Sequence, residues 1–217
     1  MKTPLSSLFT FVSAFLLTVA LPVGCQSAPE NAPPNPAPAM AAAPAAAPSP
    51  ALMPHPVTPE SVPPIAVAPP IRINCGATEK LVDSAGHVWL PDEGYSDGNP
   101  YEAEDAAVTG TPDPAIYRTE RYSMESYRFG VPNGKYTVKL LFAEVYSGIT
   151  APGDRVFSFN VQGQEFKNFD IWVKAGGPQK AYVQSVDVEV TNGVLSITFT
   201  PVMENPKLNG LEILPRE

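Results

Sequence analysis

The chain is poor in the residues that most enzyme chemistry draws on. Its 217 residues include two cysteines, Cys25 and Cys75, and two histidines, His55 and His87. Thiols so few and so separated make neither a disulfide scaffold nor a cysteine-rich metal site, and zinc is left without ligands. No Gly-x-Ser-x-Gly elbow and no phosphate-binding glycine loop occurs, so two common signatures of hydrolases and nucleotide enzymes are missing. Basic residues are also scarce: 14 Lys and Arg stand against 22 Asp and Glu, giving a net charge of −8 and a pI near 4.8. Nucleic-acid binding rests on clustered Lys and Arg that displace phosphate counterions, and no nucleic-acid partner is expected. Sustained helical periodicity is lacking too, which points away from a helical domain.

Proline is what the chain has in excess, with 27 residues weighted toward the front. Residues 1–24 begin with Lys2, run through apolar Leu5 to Leu21 and end in small residues, the pattern of an export signal, with an uncleaved anchor as the competing reading. Val23-Gly24-Cys25 resembles the end of a bacterial lipoprotein lipobox, although Pro22 stands where that motif usually has Leu; Thr18-Val19-Ala20 offers ordinary cleavage instead. The resemblance implies lipidation at Cys25 and an exported protein held at a membrane of the cell envelope, each buried methylene adding roughly 0.8 kcal/mol. From Cys25 to Pro70 about a third of the residues are proline. Proline removes helical donors, so a disordered, partly polyproline-II tether is expected, reaching on the order of 100 Å at most. His55 lies in it.

At Ile71 the composition changes, and one domain is expected over 71–217. Ile71-Arg-Ile-Asn-Cys75 opens an alternating pattern in which Cys75 reads as a small buried hydrophobe. The region Asp83 to Pro114 is dense in Gly, Asp, Asn and Pro and carries Trp89, Tyr95 and Tyr101; long loops of this kind tend to be functional. Asp92, Glu93, Asp97 and Asn99 are hard oxygen ligands, but they lack EF-hand spacing, and turn chemistry is the preferred account. No metal and no cofactor is predicted.

Ile116-Tyr-Arg-Thr-Glu-Arg-Tyr122 sets aromatic and charged side chains together. If it is extended, Glu120 and Tyr122 share one face, as do Glu144 and Tyr146 in Phe142-Ala-Glu-Val-Tyr146. Flat apolar rings beside carboxylates suit a sugar, whose C–H faces pack on rings while its hydroxyls donate to acceptors. A half-buried core role for these tyrosines is the plainer alternative. Alternation then predicts strands at Lys135–Phe142, with Tyr136, Val138, Leu140 and Phe142 inward, and at Arg155–Val161, with Phe157 and Phe159 inward. Further strands are expected over Phe166–Trp172, Val183–Val190 paired with Val194–Phe199 across Thr191-Asn192-Gly193, and Leu208–Leu214. Phe157, Phe159, Trp172 and Phe199 are core candidates. This many alternating strands predicts an all-β, two-sheet sandwich, most simply a jelly roll.

Taken together, Ile73-Asn-Cys-Gly76, Ile116–Tyr122, Phe142–Tyr146, Phe169-Asp-Ile171 and Glu204-Asn-Pro-Lys-Leu-Asn-Gly-Leu-Glu-Ile213 resemble the malectin family of sugar-binding domains, over about residues 71–215. The resemblance implies a malectin-like jelly-roll sandwich whose loops hold an oligosaccharide. It implies ligand roles for Tyr122, Tyr146 and Glu204, the last standing where the family has Asp, and for a tyrosine of the preceding loop, Tyr95 in preference to Tyr101. Ser147 departs from the aromatic that follows the second tyrosine in animal malectin. The expected function is non-catalytic carbohydrate binding. The alternatives are a glycoside hydrolase using Glu120 and Glu144 as its two carboxyls, and a structural or adhesive module that holds another protein.

Overall fold

The computed structural model describes residues 64–217. The expected signal segment, Cys25, His55 and most of the tether lie outside the described residues. Fifteen strands and one short helix are formed there: β1 (Ile65–Ala66), β2 (Ile71–Asn74), β3 (Leu81–Val82), β4 (Val88–Trp89), β5 (Tyr95–Ser96), β6 (Asn99–Glu102), β7 (Thr119–Tyr122), β8 (Ser126–Gly130), β9 (Gly134–Phe142), β10 (Val156–Val161), β11 (Gln164–Phe169), α1 (Ile171–Ala175), β12 (Tyr182–Val190), β13 (Val194–Met203), β14 (Lys207–Leu208) and β15 (Gly210–Arg216). The first strand precedes the composition change at Ile71, because Ile65 and Ala66 pair in parallel with Phe129 and Gly130.

Two sheets make the sandwich. One runs β1-β8-β13-β10-β11, with β5 also on β8; the other runs β12-β9-β15-β2. Strand alternation works as the sequence predicts: Tyr136, Val138, Leu140 and Phe142 of β9 and Phe157, Phe159 and Val161 of β10 are all buried in one core. Aromatic rings fill its middle, with Phe142 and Phe169 at 4.9 Å and Phe157 and Phe169 at 5.6 Å between centroids. Cys75 is fully buried there, as expected, and burial pushes its thiol well above the ordinary range. It is a packing residue.

Two expectations are corrected. Thr191-Asn192-Gly193 does not close a hairpin: β12 pairs with β9, whereas β13 pairs with β8 and β10, so this connection crosses from one sheet to the other. Inward alternation is the same for strands that face each other across a sandwich as for strands side by side, and the Asn-Gly signal cannot separate the two. Nor does Trp172 join the core. Asp170 caps α1 by accepting a hydrogen bond from the Val173 amide at 3.1 Å, Gly176 ends it in a left-handed conformation, and Trp172 is half-buried on its surface.

A second, smaller layer lies outside the β9 sheet. Leu141, Ala143 and Val145, whose side chains point away from the first core, are covered by Trp89, Ala106, Val108, Ile116 and Tyr117. The region expected as irregular loop thus carries short strands of its own, β4, β5 and β6, and β6 joins β7 and β14 in the small sheet β14-β7-β6. That sheet positions the site.

Candidate functional site

Pro114–Tyr117 forms a short 3-10 turn rather than an extended segment, and β7 begins only at Thr119. From there the predicted alternation holds. Glu120 and Tyr122 face one side, and Arg121 faces the other. β6 pairs Tyr101 with Glu120 and Asn99 with Tyr122, bringing Tyr101 to the same face as Glu120. After β9 the chain runs on to a turn at Tyr146–Ile149, closed by the Ile149 amide donating to the Tyr146 carbonyl at 3.1 Å, and projects Tyr146 outward, 45% exposed. Its ring folds back over Gly148, where a Cβ would collide with the ring edge. Tyr101 and Tyr146 meet edge to face at 5.8 Å.

These rings, with Tyr122, Glu120, Arg155, Glu204 and Asn205, line a cavity of about 240 Å³. Tyr122, Tyr146 and Glu204, which are far apart in sequence, therefore converge. Tyr95 does not join them. Its ring lies against the Arg121 guanidinium at 3.3 Å, in a separate cleft beside Asp92. Tyr101 occupies the position in the cavity that Tyr95 was expected to take. The choice turns on β6 pairing with β7, which no local pattern in residues 83–114 announces.

Asp92 itself is a structural anchor. It accepts hydrogen bonds from Arg121 Nε at 2.5 Å, the Gly76 amide at 2.7 Å and Tyr127 Oη at 2.8 Å. Burial pushes its carboxyl up, while the Gly76 amide and Arg121 hold it down. Among the described residues no group of three or more His, Cys, Asp or Glu is arranged to hold a metal ion.

Two buried ion pairs fix the cavity walls. Glu120 pairs with Lys207 of β14, whose Nζ also donates to the Ala143 carbonyl, so β7, β14 and the end of β9 are tied at one point. Glu144 accepts from Arg155 Nε at 2.8 Å and from the Tyr146 amide at 3.2 Å, and Arg155 Nη1 donates to the Asn205 carbonyl at 2.6 Å. Arg155 thus joins the loop bearing Tyr146 to the loop bearing Glu204. Each pair has both members less than a tenth exposed, where losing one partner leaves an uncompensated charge. Asn209 completes the frame: its side chain accepts from the Ala143 amide at 2.8 Å and donates to the carbonyls of Tyr117 and Thr119, both at 2.9 Å.

Glu204 has a positive φ of 59°, a conformation costing an ordinary residue on the order of 1–3 kcal/mol and concentrated at functional sites. The Asn205 amide donates to its carboxylate at 3.0 Å. No cation pairs with Glu204 among the described residues' ion pairs, so its carboxylate is an open acceptor on the cavity rim. The pairing of Glu120 and Glu144 as catalytic carboxyls finds a different arrangement. Only Glu120 lines the cavity; Glu144 sits behind Arg155, and both are held in ion pairs. Lys207 and Arg155, the partners of these two carboxylates, were not expected in that role from the sequence.

A larger cleft, of about 580 Å³, lies on the other side of β6, between Asn74, Thr78, Glu102 and Arg118. It is wide open and its only aromatic wall is Tyr101, so it lacks the facing rings of the smaller cavity.

Comparison with known proteins accords with this geometry. The profile of the Malectin domain matches residues 70–211. Malectin-A of Xenopus laevis is 30% identical over 120 residues, 47% of this chain and 42% of that protein. Malectin of Mus musculus is 31% identical over 120 residues, 47% of this chain and 40% of that protein. Receptor-like protein 4 of Arabidopsis thaliana is 28% identical over 152 residues, 60% of this chain and 24% of that protein. The matched stretch thus spans less than half the length of each of these relatives. Among solved structures, a Bacteroides uniformis beta-glucuronidase superposes with a TM-score of 0.61 at 21% identity, over 68% of this chain and 18% of that one. The plant receptor-like kinase FER superposes at 0.58 and 23% identity, over 66% and 48%. Those likenesses establish the malectin-like sandwich fold. With the profile matching residues 70–211, from β2 to the start of β15 and more than half of the chain, the chain belongs to the Malectin domain family.

Proposed function

We propose that this protein is a non-catalytic carbohydrate-binding module, exported and tethered to a membrane of the cell envelope through a lipid on Cys25. The observation that carries the reading is the convergence of Tyr101, Tyr122 and Tyr146 around one cavity with the open carboxylate of Glu204 on its rim. Sugar rings pack their C–H faces on the tyrosines, and ring hydroxyls donate to Glu204 and accept from Arg155. Hydrogen bonds to charged groups contribute more than the ~1 kcal/mol of a neutral one. A module with so few contacts binds with modest affinity. Family membership supports the sugar reading, and the engaged state of Glu120 and Glu144 supports binding without hydrolysis.

The test is a glycan array probed with the full chain, followed by titration of the best glycan. Binding is expected, with Tyr122→Ala and Tyr146→Ala each lowering affinity at least tenfold while melting temperature holds. Release of free sugar on prolonged incubation, lost in Glu120→Gln, would replace this reading with a hydrolase. Retention of the protein on a partner protein with no glycan bound would favour an adhesive module. Membrane attachment is tested by Cys25→Ser, expected to move the protein from the membrane to the soluble fraction.

A further inference from the structure

The cavity of about 240 Å³ falls below the roughly 300–1,000 Å³ of pockets that enclose a ligand of drug size. An oligosaccharide seated there must continue outside it. A second cavity, of about 530 Å³, adjoins the Tyr101–Tyr146 ring pair at Tyr101. It shares the Tyr101 wall with the first, and Val145 and Ser147, the residues on either side of Tyr146, form its opposite wall. The two cavities are thus neighbours across a single aromatic ridge. Ser147 is small and exposed at that junction, leaving the way open.

Two features show that the second cavity is organised rather than incidental. Gln179, one of its lining residues, holds a positive φ of 50°. Its amide donates to the Glu144 carbonyl at 2.9 Å, and its side-chain oxygen accepts from the Ala107 amide at 3.0 Å. The loop behind Tyr146 and the loop that walls the second cavity are therefore fixed to one residue. The second feature is charge: Glu102, Glu104 and Asp105 line the cavity and no Lys or Arg does. Lys180, next to Gln179 in sequence, donates its Nζ to the Gly176 carbonyl at 3.0 Å and is not part of the lining, and Arg118 lines the cleft on the other side of β6, its Nε donating to the Ala106 carbonyl at 3.3 Å.

We infer that the ligand is a glycan chain of several units that crosses the Tyr101–Tyr146 ridge and fills both cavities, and that the unit seated in the second is not a uronic acid. This rests on the sugar-binding reading of the first cavity and adds length and charge to it. Tyr101, a wall of both cavities, lets successive sugar rings gain from one aromatic side chain. Three carboxylates without a counter-charge repel an anionic sugar while tolerating a neutral one.

The experiment titrates the full chain with malto- and cello-oligosaccharides of two to six units and with oligogalacturonides of the same lengths. In at least one neutral series, affinity is expected to rise at least tenfold between two and five units, with oligogalacturonides weaker at every length. In the exposed double variant Glu102→Lys/Glu104→Lys, five-unit oligogalacturonides are expected to gain at least tenfold, while the neutral two-unit affinity stays within twofold. Affinity that is flat with length, or an unaltered preference in the double variant, overturns the second cavity and leaves the first intact. If no series binds, or if binding is indifferent to Tyr122→Ala, the underlying reading fails and the second cavity with it.

Discussion

The sandwich core and the layer outside it are held together by different physics. In the core, aromatic and aliphatic side chains from two regular sheets exclude water, and the strands that carry them are long. In the outer layer the strands are two to four residues long. Beside the small apolar cluster around Trp89 and Leu141, it is held by buried polar groups: Glu120 with Lys207, Glu144 with Arg155, Asp92 with Arg121, and the three hydrogen bonds of Asn209. A hydrophobic layer tolerates small shifts. Ion pairs and amide bonds have strict geometry, so they fix the positions of Tyr101, Tyr122, Tyr146 and Glu204, as a binding cavity requires.

The sharpest way to break that comparison is to remove one member from each region. Phe157→Ala, in the core, is expected to cost about 3–5 kcal/mol. Lys207→Ala, in the frame, is expected to cost about as much, because it strands Glu120 in a buried position. Replacing both partners, as Glu120→Gln with Lys207→Met, is expected to recover at least half of the second loss and none of the first. Urea denaturation of the four proteins measures this; a Lys207→Ala loss below 1 kcal/mol would show that the pair is dispensable.

Asn209→Ala ranks next, at about 2–3 kcal/mol, since it leaves the Ala143 amide and two carbonyls without partners in a dry position. The same denaturation measurement reads it. Gly148→Ala is smaller, below about 1 kcal/mol in stability. Its effect is on the site, where the new methyl displaces the Tyr146 ring, and titration with the bound glycan is expected to show a severalfold weaker affinity.

Much of the core was legible because burial on one face imposes alternation. Tyr136, Val138, Leu140 and Phe142 announce β9 without help from the rest of the chain. Where sequence reading went astray, the missing information was non-local. Val186 and Leu195 both face the core, but from opposite sheets, and their local patterns are those of a hairpin. Glu120 and Lys207 were each visible, but nothing near either in sequence names the other. Tyr95 and Tyr101 sit in one unpatterned region, and only the pairing of Tyr101 with Glu120 separates them. The malectin resemblance supplied what alternation could not, namely that Tyr122, Tyr146 and Glu204 lie together.

The smallest effect concerns the rim of the outer layer. Asp83 accepts hydrogen bonds from Trp89 Nε1 at 3.0 Å and from the His87 amide at 2.8 Å. Against the upward push of burial, these bonds from Trp89 and His87 hold its carboxyl at about 2. Its folded value lies below the unfolded one of about 3.9, so its contribution is complete above about pH 4 and lost as pH falls through 2. Trp89 fluorescence in a Trp172→Phe background is expected to change across that window, and Asp83→Asn to abolish the change. No core variant should alter it.

The central claim is that the outer layer fixes a sugar site around Tyr101 and leaves Tyr95 outside it. Isothermal titration of Tyr101→Ala and Tyr95→Ala with the glycan that binds the native chain, both variants first checked for folding by thermal melts, tests this directly. The account predicts at least a tenfold loss for Tyr101→Ala and less than a twofold change for Tyr95→Ala. A loss confined to Tyr95→Ala would place the sugar in the cleft beside Arg121 and contradict it.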